Sequence, residues 1–376
     1  MIPLVDPRFP GNEARYLLEC IETGYVSAVG PFVGRFEREF GHALGSPHAV
    51  ACGTGTAALH VALRLSGARP GTLVAVSDFT FIASANAATY TGADLLFVDS
   101  ESASWNMDTE RLHDEVVRRA RVGERIPDIV EVVHVLGHPA FLEPLLRLKE
   151  RFGIRVVEDA AEALGSAWND GDSGGGQVGT VGDFGCFSFN GNKIITTGGG
   201  GMIVSPEAEK AEQARHLINQ AKAGEGGYLH DTVGYNYRMT NLNAAVGVAQ
   251  LEQLPAILAA KRAGAATYAD RFAALPLTLP PHAPWAEPSY WLYSVLLPES
   301  VEPVDAVAEL EAAGVRARRL WPPLHRQAPY RGVERLGGEV AERIYARGIS
   351  IPSSPGLSED DRMTVIKAVE GLFTTV

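Results

Sequence analysis

Short apolar runs that alternate with helix-length stretches constrain this chain most. His48–Cys52, Leu73–Val76, Leu95–Val98, Ile129–Val133, Ile154–Val157 and Phe184–Phe189 each read as a buried strand. A helix is expected between each pair, among them Thr56–Leu65 and Phe81–Tyr90. Strands apolar on both faces pair in parallel through helical crossovers, so the pattern predicts an α/β fold around a mostly parallel sheet. Before the first strand, Gly11–Thr23 and Pro31–Leu44 are predicted helices; Phe32, Phe36, Phe40 and Leu44 recur at helical spacing.

After Thr240 the pattern becomes one long helical stretch broken at Pro255, which cannot continue a helix unkinked. A proline-rich segment beyond Leu275 then leads into a smaller unit. There a strand (Tyr293–Leu297), a helix (Val304–Ala313) and helices near Val340 and Asp360 are expected, the last capped by Ser358. At 376 residues the chain has room for two cores. The expected division is a large unit over 1–250 and a smaller one over 251–376, entered through the long helix.

The chain carries 45 acidic and 33 basic residues, a net charge of -12, which argues against a nucleic-acid surface. Three cysteines, Cys20, Cys52 and Cys186, stand singly in apolar surroundings and fit buried thiols in a reducing compartment. The start MIPLVDPRFPG has no basic-then-apolar signal pattern, and no run approaches a bilayer span. A cytoplasmic protein is the expectation.

Several local patterns carry chemistry. In DFGCFSFNGNKIITTGGGGM (183–202), an aromatic strand turns through Asn190-Gly191-Asn192, presents Lys193 and runs into four glycines, which let backbone approach a ligand closely. An apolar surround with no carboxylate adjacent in sequence suits an amine destined for Schiff-base chemistry. Gly53-Thr54-Gly55-Thr56-Ala57-Ala58 matches G-x-G-x-x-A between a strand and a helix, so a nicotinamide dinucleotide has to be considered, although its strand-end acid would have to be Asp78. Under either reading the helix N-terminus and Thr56 suit a phosphate.

Glu158 and Asp159 end a buried strand. Asp159 would then either face a ligand crevice or cap a helix over AAEALG. His134 and His138 have zinc-like spacing but fall on a strand and a turn, so no metal site is expected. Asp170-Gly171-Asp172 starts like a calcium loop but lacks the twelfth-position Glu, and the glycine-rich stretch 170–179 reads as a surface loop, with a lid as the alternative.

Seven segments in order, GTAALH, FTFIASANA, VHVLGHPA, VVEDAAEALGS, GDFGCFSFNGNK, GYNYRMTNLNAA and WPPLH, resemble those of the DegT/StrS sugar aminotransferases, and the resemblance covers nearly the whole chain. It implies a fold type I transferase dependent on pyridoxal 5'-phosphate (PLP). Such a fold has a large domain with a mostly parallel seven-stranded sheet flanked by helices, plus a smaller α+β C-terminal domain. By the same resemblance Lys193 is the Schiff-base lysine and proton shuttle, and Asp159 keeps the ring nitrogen protonated. Glu162 lies beside the ring hydroxyl and Phe81 stacks on the ring. Gly55, Thr56 and Ser188 hold the phosphate, joined by Asn236 from the second subunit of a homodimer. His325 belongs to the substrate side. One departure is Phe141, where the family pattern has Asp. The implied reaction carries an amino group from L-glutamate to a nucleotide-linked keto sugar, a 4-keto-6-deoxy hexose of the UDP-linked N-acetyl type or the GDP-linked type. A PLP-binding regulator on the same fold and a nicotinamide-dependent oxidoreductase are the alternatives.

Overall fold

The computed structural model describes residues 1–46, 48–169, 175–224 and 227–373. Helices α1 (Glu13–Thr23) and α2 (Pro31–Leu44) lead into strand β1 (His48–Cys52) and helix α3 (Gly55–Leu65). Then follow β2 (Leu73–Ser77), α4 (Ala83–Tyr90), β3 (Asp94–Val98), α5 (Thr109–Val122), β4 (Ile129–Val133), α6 (Glu143–Phe152) and β5 (Arg155–Asp159). Two short strands, β6 (Ala167–Trp168) and β7 (Gly176–Gln177), precede β8 (Phe184–Ser188), β9 (Gly201–Ser205) and helix α7 (Ala208–Ile218). The predicted long helix is two, α8 (Asn241–Glu252) and α9 (Leu254–Phe272), parted at Gln253 just before Pro255. The remainder is β10 (Ala286–Glu287), β11 (Tyr293–Leu296), α10 (Pro303–Ala312), β12 (Arg318–Arg319), β13 (Glu334–Leu336), α11 (Glu339–Arg347), β14 (Gly348–Ile351) and α12 (Glu359–Gly371). Ser358 caps α12 as expected, accepting from the Asp361 amide.

The main sheet runs β1-β9-β8-β5-β4-β2-β3-β13. It has eight strands where seven were expected, because the C-terminal region returns β13 to pair in parallel with β3. Among the described residues only β9 runs against its neighbours, pairing antiparallel with β1 and β8. Strands β2 and β4 are buried along their whole length, as two-sided coverage by helices demands. Helices α3, α4 and α7 pack on one face with Val50, Val76, Val157 and Phe184. On the other, α2 and α8 cover Phe187, Phe189 and Met202. The second sheet, β11-β14-β12, shares its own core with α9, α10 and α12 through Tyr268, Phe272, Tyr293, Leu310 and Ile366.

One predicted element does not form. Among the described residues no helix lies between β5 and β8; AAEALG runs through turns instead. The Asp159 carboxylate is turned to Ser84, and Glu162 is tied to the Leu136 amide, so the segment hugs the sheet edge rather than coiling away from it. Asp170-Gly171-Asp172, which does not read as a calcium loop, and part of the glycine-rich loop lie outside the described residues.

Candidate active site

Strands β1, β5 and β8 deliver their C-terminal ends to one crevice, and antiparallel β9 brings its N-terminal end there. After β1, Thr54 caps α3, its hydroxyl accepting from the Ala57 amide at 3.0 Å. The amides of Gly55 and Thr56 then point off the helix with no helical acceptor, a ready anion cradle. Ser188, at the end of β8, closes that cradle so tightly that a Cβ on Gly55 would stand 2.7 Å from the Ser188 Cβ. Gly201 opens β9 equally close to this turn: a Cβ there would meet the Thr54 carbonyl oxygen at 2.4 Å. The four-glycine run therefore lets β9 pass beneath the cradle.

Lys193 follows the turn after β8, its amide donating to the Asn190 carbonyl at 3.0 Å. Its Nζ lies 4.0 Å from the centroid of the Trp291 ring and 3.5 Å from Glu162 Oε1. The absence of a neighbouring carboxylate, read from the local sequence, is thus corrected by the fold: Glu162 arrives from 31 positions upstream. Its other oxygen accepts from the Leu136 amide at 2.9 Å, and Leu136 holds a left-handed φ of 56° to present it.

Asp159 ends β5 beneath the crevice, 4 % exposed. Burial pushes its carboxyl above the usual range, opposed by the Ser84 hydroxyl at 2.8 Å, the Ala161 amide at 3.1 Å and the positive charge of Lys193. Glu162 is likewise raised by burial, with Lys193 and the Leu136 amide pulling the other way. Two buried acids on one wall favour a cationic ligand group beside them.

The cavity measures about 450 Å³. Gly55, Thr56, Phe81, Asp159, Glu162, Ser188 and Lys193 all line it, so seven of the sequence-predicted residues meet in one place. Phe81 is half exposed over the opening, with the Trp321 ring centroid 6.5 Å away. Ser84, Trp321 and Arg318 also line the cavity and were not singled out from the sequence. Trp321 begins the WPPLH segment, which was the available signal; nothing local marks Ser84.

Two predicted residues lie elsewhere. Asn236 is exposed on the surface, in a backbone bridge with Asn219. His325 does not line the cavity: its Nδ1 lies 2.6 Å from Asp78 Oδ2, its Nε2 2.9 Å from Glu342 Oε1, and its amide donates to Asp78. Both ring nitrogens are engaged, so in this arrangement His325 fastens the WPPLH segment to the loop after β2. Asp78 is thereby committed to a protein partner, which removes the ribose-binding acid that a nicotinamide site would need. His134 and His138 are also structural. His134 Nε2 faces Glu158 at 3.0 Å, and His138 spans the Pro139 carbonyl and the Ala283 amide.

These residues fit PLP: the amide cradle for a phosphate, a buried acid for a ring nitrogen, an aromatic above, and an amine for an aldehyde.

Comparison with known proteins agrees. Residues 9–370 match the model of the DegT/DnrJ/EryC1/StrS aminotransferase family. The GDP-perosamine synthase of Caulobacter vibrioides is 37% identical, covering 98% of this chain and 97% of its own. That of Vibrio cholerae is 36% identical over the full length of both. The crystal structure of an aminotransferase TlmJ from Streptoalloteichus hindustanus superposes with a TM-score of 0.89 at 29% identity, covering 99% of this chain and 98% of that one. The chain belongs to the DegT/DnrJ/EryC1/StrS family and is a PLP-dependent sugar aminotransferase.

Proposed function

We propose that this sugar aminotransferase moves the amino group of L-glutamate to a 4-keto-6-deoxy hexose carried on GDP, working as a homodimer in the cytoplasm. The convergence of Lys193 Nζ, Glu162 Oε1 and the buried Asp159 on one cavity beside an anion cradle carries the reading. The GDP-perosamine synthases, matched end to end, favour GDP over UDP as the carrier. Arg318, exposed at the cavity and without an ion-pair partner among the described residues, suits the negative charge of such a substrate.

Bound in this cavity, PLP supplies the aldehyde that exchanges amino groups and a ring that withdraws electrons from the substrate carbon. Lys193 Nζ would hold that aldehyde at rest, then take the proton from the donor α-carbon and return one to the acceptor carbon. Glu162 Oε1 accepts from the lysine when it is charged, and the Trp291 face limits its swing. Asp159 would hold the proton on the ring nitrogen, Gly55, Thr56 and Ser188 would anchor the phosphate, and Phe81 would cover the ring.

A homodimer would account for Asn236. The residue lies beside a surface stretch where Tyr228, Leu229 and Val233 are 96 %, 73 % and 81 % exposed, the sort of apolar patch that marks an interface. A partner could then lend Asn236 to the neighbouring cradle. All three cysteines are free and buried, in keeping with a reducing compartment. Among the described residues no helix is long and apolar enough to cross a membrane.

Purified protein should be yellow and lose its colour with borohydride. Lys193→Ala should abolish both the colour and the half-reaction with L-glutamate; retention of either rejects the assignment. The amine-loaded enzyme, offered GDP- and UDP-linked keto sugars, should recover its colour with a GDP-linked 4-keto-6-deoxy hexose. Recovery with UDP sugars alone would overturn the carrier.

A further inference from the structure

A second cavity, about 300 Å³, shares Asn192 and Lys193 with the first and extends beneath the N-terminal segment. Val5, Pro7, Ile194, Ile257 and Trp291 make its walls largely apolar. Its charged groups are three besides Lys193. Asp6 and Arg8 answer each other at 3.1 Å. Lys261, from the middle of α9, does not share in that pair. It is 7 % exposed, donates once to the Ser353 carbonyl at 2.8 Å, and has no carboxylate within ion-pair distance among the described residues. Two of its three hydrogens are uncommitted. Gln250 is spent on the Arg8 carbonyl and Glu13, whereas the Gln253 side chain makes no hydrogen bond among the described residues.

A buried ammonium without a counter-ion is costly, so such an amine either gives up its proton or takes an anion beside it. Burial pulls Lys261 down to about 7, and an arriving carboxylate would restore its charge.

We infer that this cavity receives the distal carboxylate of the amino donor, with Lys261 as its counter-ion and Gln253 as a second donor. The inference rests on Lys193 being the transaminating amine. The donor amino group must come to Lys193, which lines both cavities. From there a short methylene chain runs along apolar walls and ends at the ammonium. The volume lies at the small end for ligand sites and suits a five-carbon diacid better than a nucleotide sugar.

Calorimetric titration with glutarate tests the site without turnover. The wild-type protein should bind glutarate, and Lys261→Met should weaken it about tenfold or more, the loss expected for one charge-assisted contact. Gln253→Glu, which keeps the lysine but adds a competing carboxylate, should weaken it too, and serves if the methionine variant does not fold. In the half-reaction, Lys261→Met should raise the half-saturating concentration of L-glutamate about tenfold and leave that of L-glutamine unchanged. Equal effects on both amino acids, or unchanged glutarate binding, would make Lys261 a clamp on Ser353 and overturn the inference. Phosphate that displaces glutarate and is itself weakened by Lys261→Met would make the cavity a general anion hole, with the same result. If glutarate binds through Lys261 but no amino acid reacts, the aminotransferase reading fails instead.

Discussion

Strands β4 and β5 lie side by side, and each buries a glutamate completely, yet the two acids meet opposite surroundings. Glu158 on β5 accepts from His134, from the Gly179 and Val181 amides at 2.8 Å each, and from Gly182 at 2.6 Å. Burial pushes it up, but His134 and the amides of Gly182 and Gly179 outweigh burial and hold it below the usual carboxylate range. Glu131 on β4 has neither oxygen hydrogen-bonded among the described residues, so burial and the nearby Asp159 drive it well above that range. Register puts Glu131 level with Val157 and Glu158 level with Val132, so the two project from opposite faces of the sheet. Glu131 shares the face of Asp159. The protein thus leaves the acid on the Asp159 face without donors, and spends them on the acid behind it.

The largest test of this contrast is Asp159→Asn. If Asp159 is the one acid on its face that acts as an anion, the change should slow the L-glutamate half-reaction by about 10³-fold, read by stopped-flow absorbance. A loss below tenfold would mean that Glu131 can substitute for it. Next is Glu158→Gln, which sets an amide hydrogen against several donors and should cost roughly 3 kcal/mol in denaturant unfolding at pH 7. Because the folded-state value of Glu158 is depressed, its stabilisation is present above the unfolded value, near 4.5, and lost as pH falls through the folded one. The gap between wild type and variant should therefore close in acid.

The smallest effect, with the opposite pH trend, belongs to Glu131→Met. Removing two unpartnered oxygens should stabilise the fold by about 1–3 kcal/mol at pH 7. The folded-state value of Glu131 is raised, so wild-type stability is intact below about 4.5 and declines as pH rises above it. The advantage of the variant should grow with pH. Parallel pH trends for the two variants would dissolve the contrast.

The strands of the main sheet were legible because buried parallel strands are continuous apolar runs, and LVAVS or HAVAC can be little else. The exceptions are physical. Glu334–Leu336 is a three-residue edge strand with two charged side chains, invisible to any hydrophobic pattern. The expected helix after β5 lost to side-chain contacts made across the sheet. Glycines conceal β9, because at Gly201 the missing side chain is needed for the approach of Thr54.

At the site, Lys193, Asp159 and the cradle could be read because turn chemistry and strand ends advertise them. Lys261 could not, since one lysine in an alanine-rich helix looks like any solvated residue until the N-terminal segment is folded over it. His325 and Asp78 show the converse: two groups with functional-looking chemistry spend it on each other.

The pairing of β13 with β3 also has a mechanical consequence. Chain that has already left the main sheet for β11 and β12 is stitched back to its far edge before α11 and β14 complete the other sheet. A clamshell opening between the two sheets would have to tear that seam. Admission of a bulky sugar nucleotide is therefore left to side chains and short loops, with the two halves sewn in place.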